Sequence, residues 1–103
     1  FDKYFAKNKK PNYLIASRDS IAKAVINAAL KNGLKVPQDI EVLSIIGTKY
    51  AHMMTPQISS MHIDMIEVGQ KAINMLSALI KHNLNDKAFK FESTYIKRDS
   101  TLD

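Results

Sequence analysis

The 103-residue sequence predicts an α/β fold built on a parallel sheet, and three observations carry that reading. Tyr13-Leu14-Ile15-Ala16 is a short apolar run bounded by turn formers, the pattern of a strand buried on both faces of a sheet. The next stretch repeats apolar residues at helical spacing until Gly33 and Pro37 stop it. Val42-Leu43-Ser44-Ile45-Ile46 is a second apolar run, so residues 13–46 read as one βαβ unit with a right-handed crossover.

Taken in order, residues 1–8 read as the end of a helix, broken by the polar run Asn8-Lys9-Lys10-Pro11-Asn12. After the first strand, Asp19 stands where a helix N-cap is expected, and Ile21, Ala24, Val25, Ala28 and Ala29 fall on one face. Gly33 suits the left-handed position after the helix, with Leu34 folding back on the last turn. Residues 47–56 read as a loop with one helical turn, and Ile58–His62 as a third strand. Asp64 and Glu67 have capping-box separation, and Ile63 and Val68 the positions of a hydrophobic staple. Met65, Gly69, Ala72, Leu76 and Leu79 then mark the expected buried face of a long helix, which carries Lys81 and His82 at its negative end and stops at Asn83. A last strand over about Phe89–Lys97 closes the chain.

Composition narrows the function classes. With no cysteine, thiolate chemistry and disulfides are excluded, and no apolar run is long enough to span a bilayer. No signal-peptide pattern opens the chain, so the expectation is a soluble cytoplasmic protein with no membrane partner. The net charge of +5 comes from dispersed lysines; only Lys7, Lys9 and Lys10 cluster, in what reads as a solvated loop rather than a phosphate-binding face. His52, His62 and His82 are isolated, no base stands beside Ser17 or Ser20, and Gly33, Gly47 and Gly69 form no phosphate-cradling loop. The expectation is therefore no enzyme, no catalytic residue, no metal and no cofactor.

Three segments carry a family resemblance: Arg18–Leu43 with its Gly-Leu-Lys-Val-Pro-Gln-Asp-Ile, then Thr55-Pro-Gln-Ile-Ser-Ser leading into Met65–Leu76, and the closing Glu92–Thr101. In this order and spacing they resemble the effector-binding domain of LacI/GalR-type transcriptional repressors. The resemblance covers nearly the whole chain. It implies an α/β, parallel-sheet, periplasmic-binding-protein-like effector domain, incomplete here, with mainly the C-terminal lobe and crossover elements across residues 1–103. It further implies a full-length parent that binds operator DNA through an N-terminal helix-turn-helix domain missing from these residues. A periplasmic-type sugar-binding protein and a ligand-free dimerisation module are the alternatives.

Ligands of open parallel sheets bind beyond the carboxyl ends of the strands, and here those ends are Ser17-Arg18 and Ile46-Gly47-Thr48. The resemblance points to the same cleft, so the expected effector contacts are Ser17, Arg18, Asp19, Ile46, Thr48 and Ile63. Several depart from the family. Arg18-Asp19 replaces Asn-Asp, Ile45-Ile46-Gly47 replaces Phe-Asp-Asp or Phe-Asp-Asn, and Ile63 stands where a glutamine is common. An isoleucine cannot grip vicinal hydroxyls, which disfavours a plain neutral sugar. Arg18 at a strand end beside a helix N-terminus favours an anionic effector such as a phosphorylated sugar, with Asp19 opposing it electrostatically and loss of effector binding as the alternative. Alternatively Arg18 points into solvent or pairs with Asp19, Ile46 finishes the strand core, and Ile63 serves only as the staple.

The resemblance also implies a homodimer. Its expected interface is the exposed side of the first long helix, including Lys23 and Asn27, with the loop Tyr50-Ala51-His52-Met53-Met54, whose aromatic and methionines suit a protein contact. The alternative is that Met53 and Met54 tuck beneath their own loop.

Overall fold

The computed structural model describes residues 1–7, 12–82 and 88–103. The expected helix stop at Asn83 and the Lys9-Lys10 cluster lie outside them. The chain divides into two compact units, Phe1–His62 with Thr94–Asp103, and Ile63–Ser93.

In the first unit, α1 (Asp2–Lys7) precedes β1 (Tyr13–Ala16), α2 (Asp19–Lys31), β2 (Glu41–Ser44) and β3 (Ser59–His62), and β4 (Thr94–Ile96) follows later in the chain. The sheet order is β1-β2-β3-β4, with the first three strands parallel and β4 antiparallel to β3. Tyr13 pairs with Glu41 and Ala16 with Ser44, which confirms a parallel β-α-β unit. The antiparallel edge could not be read from the strand patterns alone.

One helix side and one sheet face make the core. Ala22, Val25, Ile26, Ala28 and Ala29 of α2 are buried with Ala16, Ile40, Val42 and Ile58. The expected helix face is rotated slightly, since Ala24 is exposed and Ile21 only half-buried, while Ala22 and Ile26 point inward. β1 is not buried on both faces as expected: Ile15 is 57% exposed and Tyr13 45%. The reason is coverage, because α2 is the helix of this unit that packs on β1 and β2, and it covers one side.

Gly33 ends α2 as its sequence position suggested. Its φ is +79°. The Gly33 N–H donates to the Leu30 carbonyl and the Leu34 N–H to that of Ala29, both at 3.0 Å, which is the Schellman pattern. Leu34 thereby folds under the helix and is buried. The local chemistry is sufficient to stop the helix and turn the chain toward β2.

The closing Arg98-Asp99-Ser100-Thr101 segment stitches β2 to β3. Ser100 Oγ donates to the Val42 carbonyl at 2.6 Å and accepts from the Ser59 N–H at 2.8 Å. Ser59 Oγ meets Thr101 Oγ1 at 2.7 Å, and the Val42 N–H donates to the Ser100 carbonyl at 2.9 Å. Arg98 Nη1 donates to the Ile58 carbonyl and to Ser60 Oγ, each at 2.7 Å. Buried hydroxyls need partners, and here backbone groups, Arg98 and one hydroxyl–hydroxyl pair supply them.

In the second unit, α3 (Met65–Ile80) is capped by Asp64, whose Oδ1 accepts from the N–H groups of Ile66 at 3.0 Å and Glu67 at 3.2 Å. The expected buried face of Met65, Gly69, Ala72, Leu76 and Leu79 is instead exposed. The half-buried stripe is Val68, Lys71, Met75 and Ala78, on the side where Lys71 Nζ lies 4.6 Å from the Phe89 ring centre. Periodicity located the helix, whereas its covered side depends on which residues its own unit supplies. Among the described residues, no helix is long and apolar enough to cross a membrane.

Candidate functional site at the carboxyl ends of β1 and β2

Parallel pairing brings the carboxyl ends of β1 and β2 side by side, and the Ile45 N–H still donates to the Ala16 carbonyl at 2.8 Å beyond the last strand pair. Ser17 and Arg18 leave β1 here, and Ile46, Gly47 and Thr48 leave β2. Ile45 and Ile46 are half exposed, so β2 stops at Ser44 rather than running to Ile46 as a buried strand.

Asp19 joins the two ends. Its Oδ2 accepts from both the backbone N–H and the Oγ1 hydroxyl of Thr48, at 2.6 Å each. The residue is only 3% exposed and, among the described residues, its Oδ1 has no hydrogen-bond partner. Two short charge-assisted bonds oppose the desolvation of a buried carboxylate.

This geometry corrects the expected N-cap. Asp19 is the first helical residue of α2, and Arg18 holds the cap position in extended backbone with no side-chain capping bond. The carboxylate is engaged by Thr48, 29 residues away in sequence, instead of by the first turn of its own helix. Nor does Arg18 pair with Asp19: Arg18 is exposed and, among the described residues, forms no ion pair.

Of the expected effector contacts, Ser17, Arg18, Asp19, Ile46 and Thr48 therefore lie in one unit around the two strand ends. Ile63 begins the second unit, half-buried and next to the cap residue of α3. Ser60 and Arg98 were missed in the sequence. They back the end of β2, where the Gly47 N–H donates to the Met61 carbonyl at 2.9 Å. The glycine at a strand end was the available signal for that close approach.

The expected assembly residues divide. Lys23 and Asn27 are exposed on α2, as are Tyr50, His52 and Met53 in the loop after β2. Ala51 is fully buried, which removes it from any outward-facing surface. Met54 is half-buried and packs against the core, so its side chain tucks under its own loop while Met53 remains 66% exposed.

No group of three or more histidine, aspartate or glutamate side chains among the described residues could hold a metal ion.

A family model described as a periplasmic binding protein-like domain matches residues 2–101. The chain belongs to this family. Within it, the chain is similar to the NTD biosynthesis operon regulator NtdR of Bacillus subtilis (strain 168), with 33% identity over 94 residues, covering 89% of this chain and 29% of that protein. The periplasmic-binding-protein-like domain described here thus spans less than a third of that regulator's length.

Solved structures agree on the fold. A dimeric Lac repressor superposes with a TM-score of 0.90 at 21% identity, over 98% of this chain and 37% of that one. A LacI family transcriptional regulator from Arthrobacter sp. FB24, in complex with lactose, has a TM-score of 0.82 at 24% identity, over 97% and 38% of the two chains. The LacI/GalR resemblance in residues 18–43, 55–76 and 92–101 is borne out, and the relatives are transcriptional regulators.

Proposed function

We propose that this chain is the effector-binding and dimerisation portion of a cytoplasmic, LacI/GalR-like DNA-binding transcriptional repressor that responds to a small, sugar-related metabolite. One observation carries the reading to a site: the Asp19–Thr48 clamp, which gathers the ends of two parallel strands into one polar shelf at the place where open α/β sheets bind ligands. The lactose complex of the Arthrobacter regulator supports a sugar-related effector, and the regulatory relatives support transcription as the process.

The effector class follows from Arg18. An exposed guanidinium at the start of a 13-residue helix, beside first-turn N–H groups that lack a side-chain cap, favours an anion over a neutral sugar. The preferred class is a phosphorylated sugar or similar anionic metabolite. Ser17, Ile46 and Thr48 would shape the rest of the shelf. DNA contact is assigned to a segment outside these residues, and no metal or cofactor enters the reading.

A gel-shift titration on DNA from the promoter of the protein's own operon tests this function. The full-length protein should bind and the 103-residue chain alone should not. Specific binding by the isolated chain, or none by the full-length protein, refutes the division of roles.

A further inference from the structure

The clamp at Asp19 does not end at Thr48. Thr48 Oγ1, which donates to Asp19, also accepts the backbone N–H of Tyr50 at 3.2 Å. The next residue, Ala51, donates its N–H to the Thr48 carbonyl at 3.1 Å and takes the Ile58 N–H on its own carbonyl at 2.9 Å. Fully buried Ala51 therefore anchors the far side of the turn in the core, while Tyr50 and Met53 on either side of it stay exposed.

We propose that the Asp19–Thr48–Tyr50 hydrogen-bond relay couples the first turn of α2 to the Tyr50–Met53 surface, with Thr48 as the positioning residue. The proposal rests on the assignment of that surface to self-association. Asp19 is held rigidly because it is buried at the start of α2, so its Oδ2 is a fixed point for the loop. Along this route the threonine hydroxyl joins the Asp19 carboxylate to the Tyr50 amide, and the Thr48 N–H gives the carboxylate a second bond. Any displacement of Arg18-Asp19 must shift Thr48 and, through it, the Tyr50 amide. By linkage, whatever orders the first turn of α2 also orders the association surface, to the same factor in either direction.

The test uses Thr48→Val and Thr48→Ser in the full-length protein. Valine removes the hydroxyl but leaves the backbone bond to Asp19, whereas serine keeps both. Deuterium exchange of the peptide covering 48–54 should quicken about tenfold in Thr48→Val and stay unchanged in Thr48→Ser, as loss of a charge-assisted bond implies. Sedimentation should show a dimer about tenfold weaker in the valine variant, with the serine variant like the parent. Unchanged exchange in Thr48→Val overturns the relay. Quickened exchange with unchanged association overturns the coupling. A parent protein that never self-associates refutes the assembly assignment itself, and the exchange arm still decides the relay.

Discussion

Gly47 stands against Ser60 with no room between them for a side chain. A β-carbon at position 47 would lie 2.8 Å from Ser60 Cβ, and Ser60 cannot swing aside freely because it is buried and its Oγ takes a 2.7 Å bond from Arg98. Gly47→Ala should therefore push the end of β2 off β3 and destabilise the fold by about 1–3 kcal/mol, read as a lower urea midpoint at constant m-value. Adding Ser60→Gly removes the colliding atoms and should restore part of the loss. A Gly47→Ala midpoint equal to the parent's would mean the approach is looser than described.

Ser100 predicts a second loss, from polarity rather than volume. Its hydroxyl serves the Val42 carbonyl and the Ser59 N–H, all inside the protein. Ser100→Ala leaves both backbone groups short of a partner at a site closed to water, for an expected loss of about 2–4 kcal/mol by chemical denaturation. The exposed Ser17 offers the control: Ser17→Ala should change stability by less than about 0.5 kcal/mol.

Arg18 separates effector classes. Calorimetric titration of the full-length protein with paired sugars, such as glucose and glucose 6-phosphate, should favour the phosphorylated member. Arg18→Ala should erase most of that preference, by roughly tenfold or more, consistent with a charge-assisted contact. Equal binding of both members, untouched by the substitution, rules out the anionic assignment.

Within the run Tyr50–Met54 after β2, Tyr50 and Met53 are exposed, whereas Met54 packs inward. Tyr50→Asp combined with Met53→Asp should convert a full-length dimer to folded monomer in analytical ultracentrifugation, since two carboxylates would have to be desolvated without partners. Met54→Asp should instead destabilise the chain by introducing a charge next to the core. If the Tyr50/Met53 double variant remains dimeric at micromolar concentration, assembly uses another surface.

The candidate site was legible in outline. Two apolar runs flanking an amphipathic helix with a Gly-Leu-Lys-Val-Pro exit are enough to place a parallel β-α-β unit, and parallel topology by itself puts Ser17, Arg18 and Thr48 at one end of the sheet. The sequence points to a capping role for Asp19 because an aspartate before a helical pattern has a strong local use as a cap. Its actual partner arrives from 29 residues away, and sequence distance carries no signal for such a bond.

Features under local chemical control are readable from neighbouring residues. Gly33 and Leu34 close α2 through backbone bonds within six residues, and Asp64 caps α3 through bonds to Ile66 and Glu67. Tertiary structure alone decided which faces are covered and which polar groups meet. The side of β1 that faces a helix, the exposed stripe of α3, the burial of Ala51 beside exposed Tyr50, and the Asp19–Thr48 and Ser100–Val42 bonds all depend on residues distant in the chain. Periodicity states that an element has two sides, but only packing assigns a neighbour to each, because burial and hydrogen-bond satisfaction are properties of the assembled core.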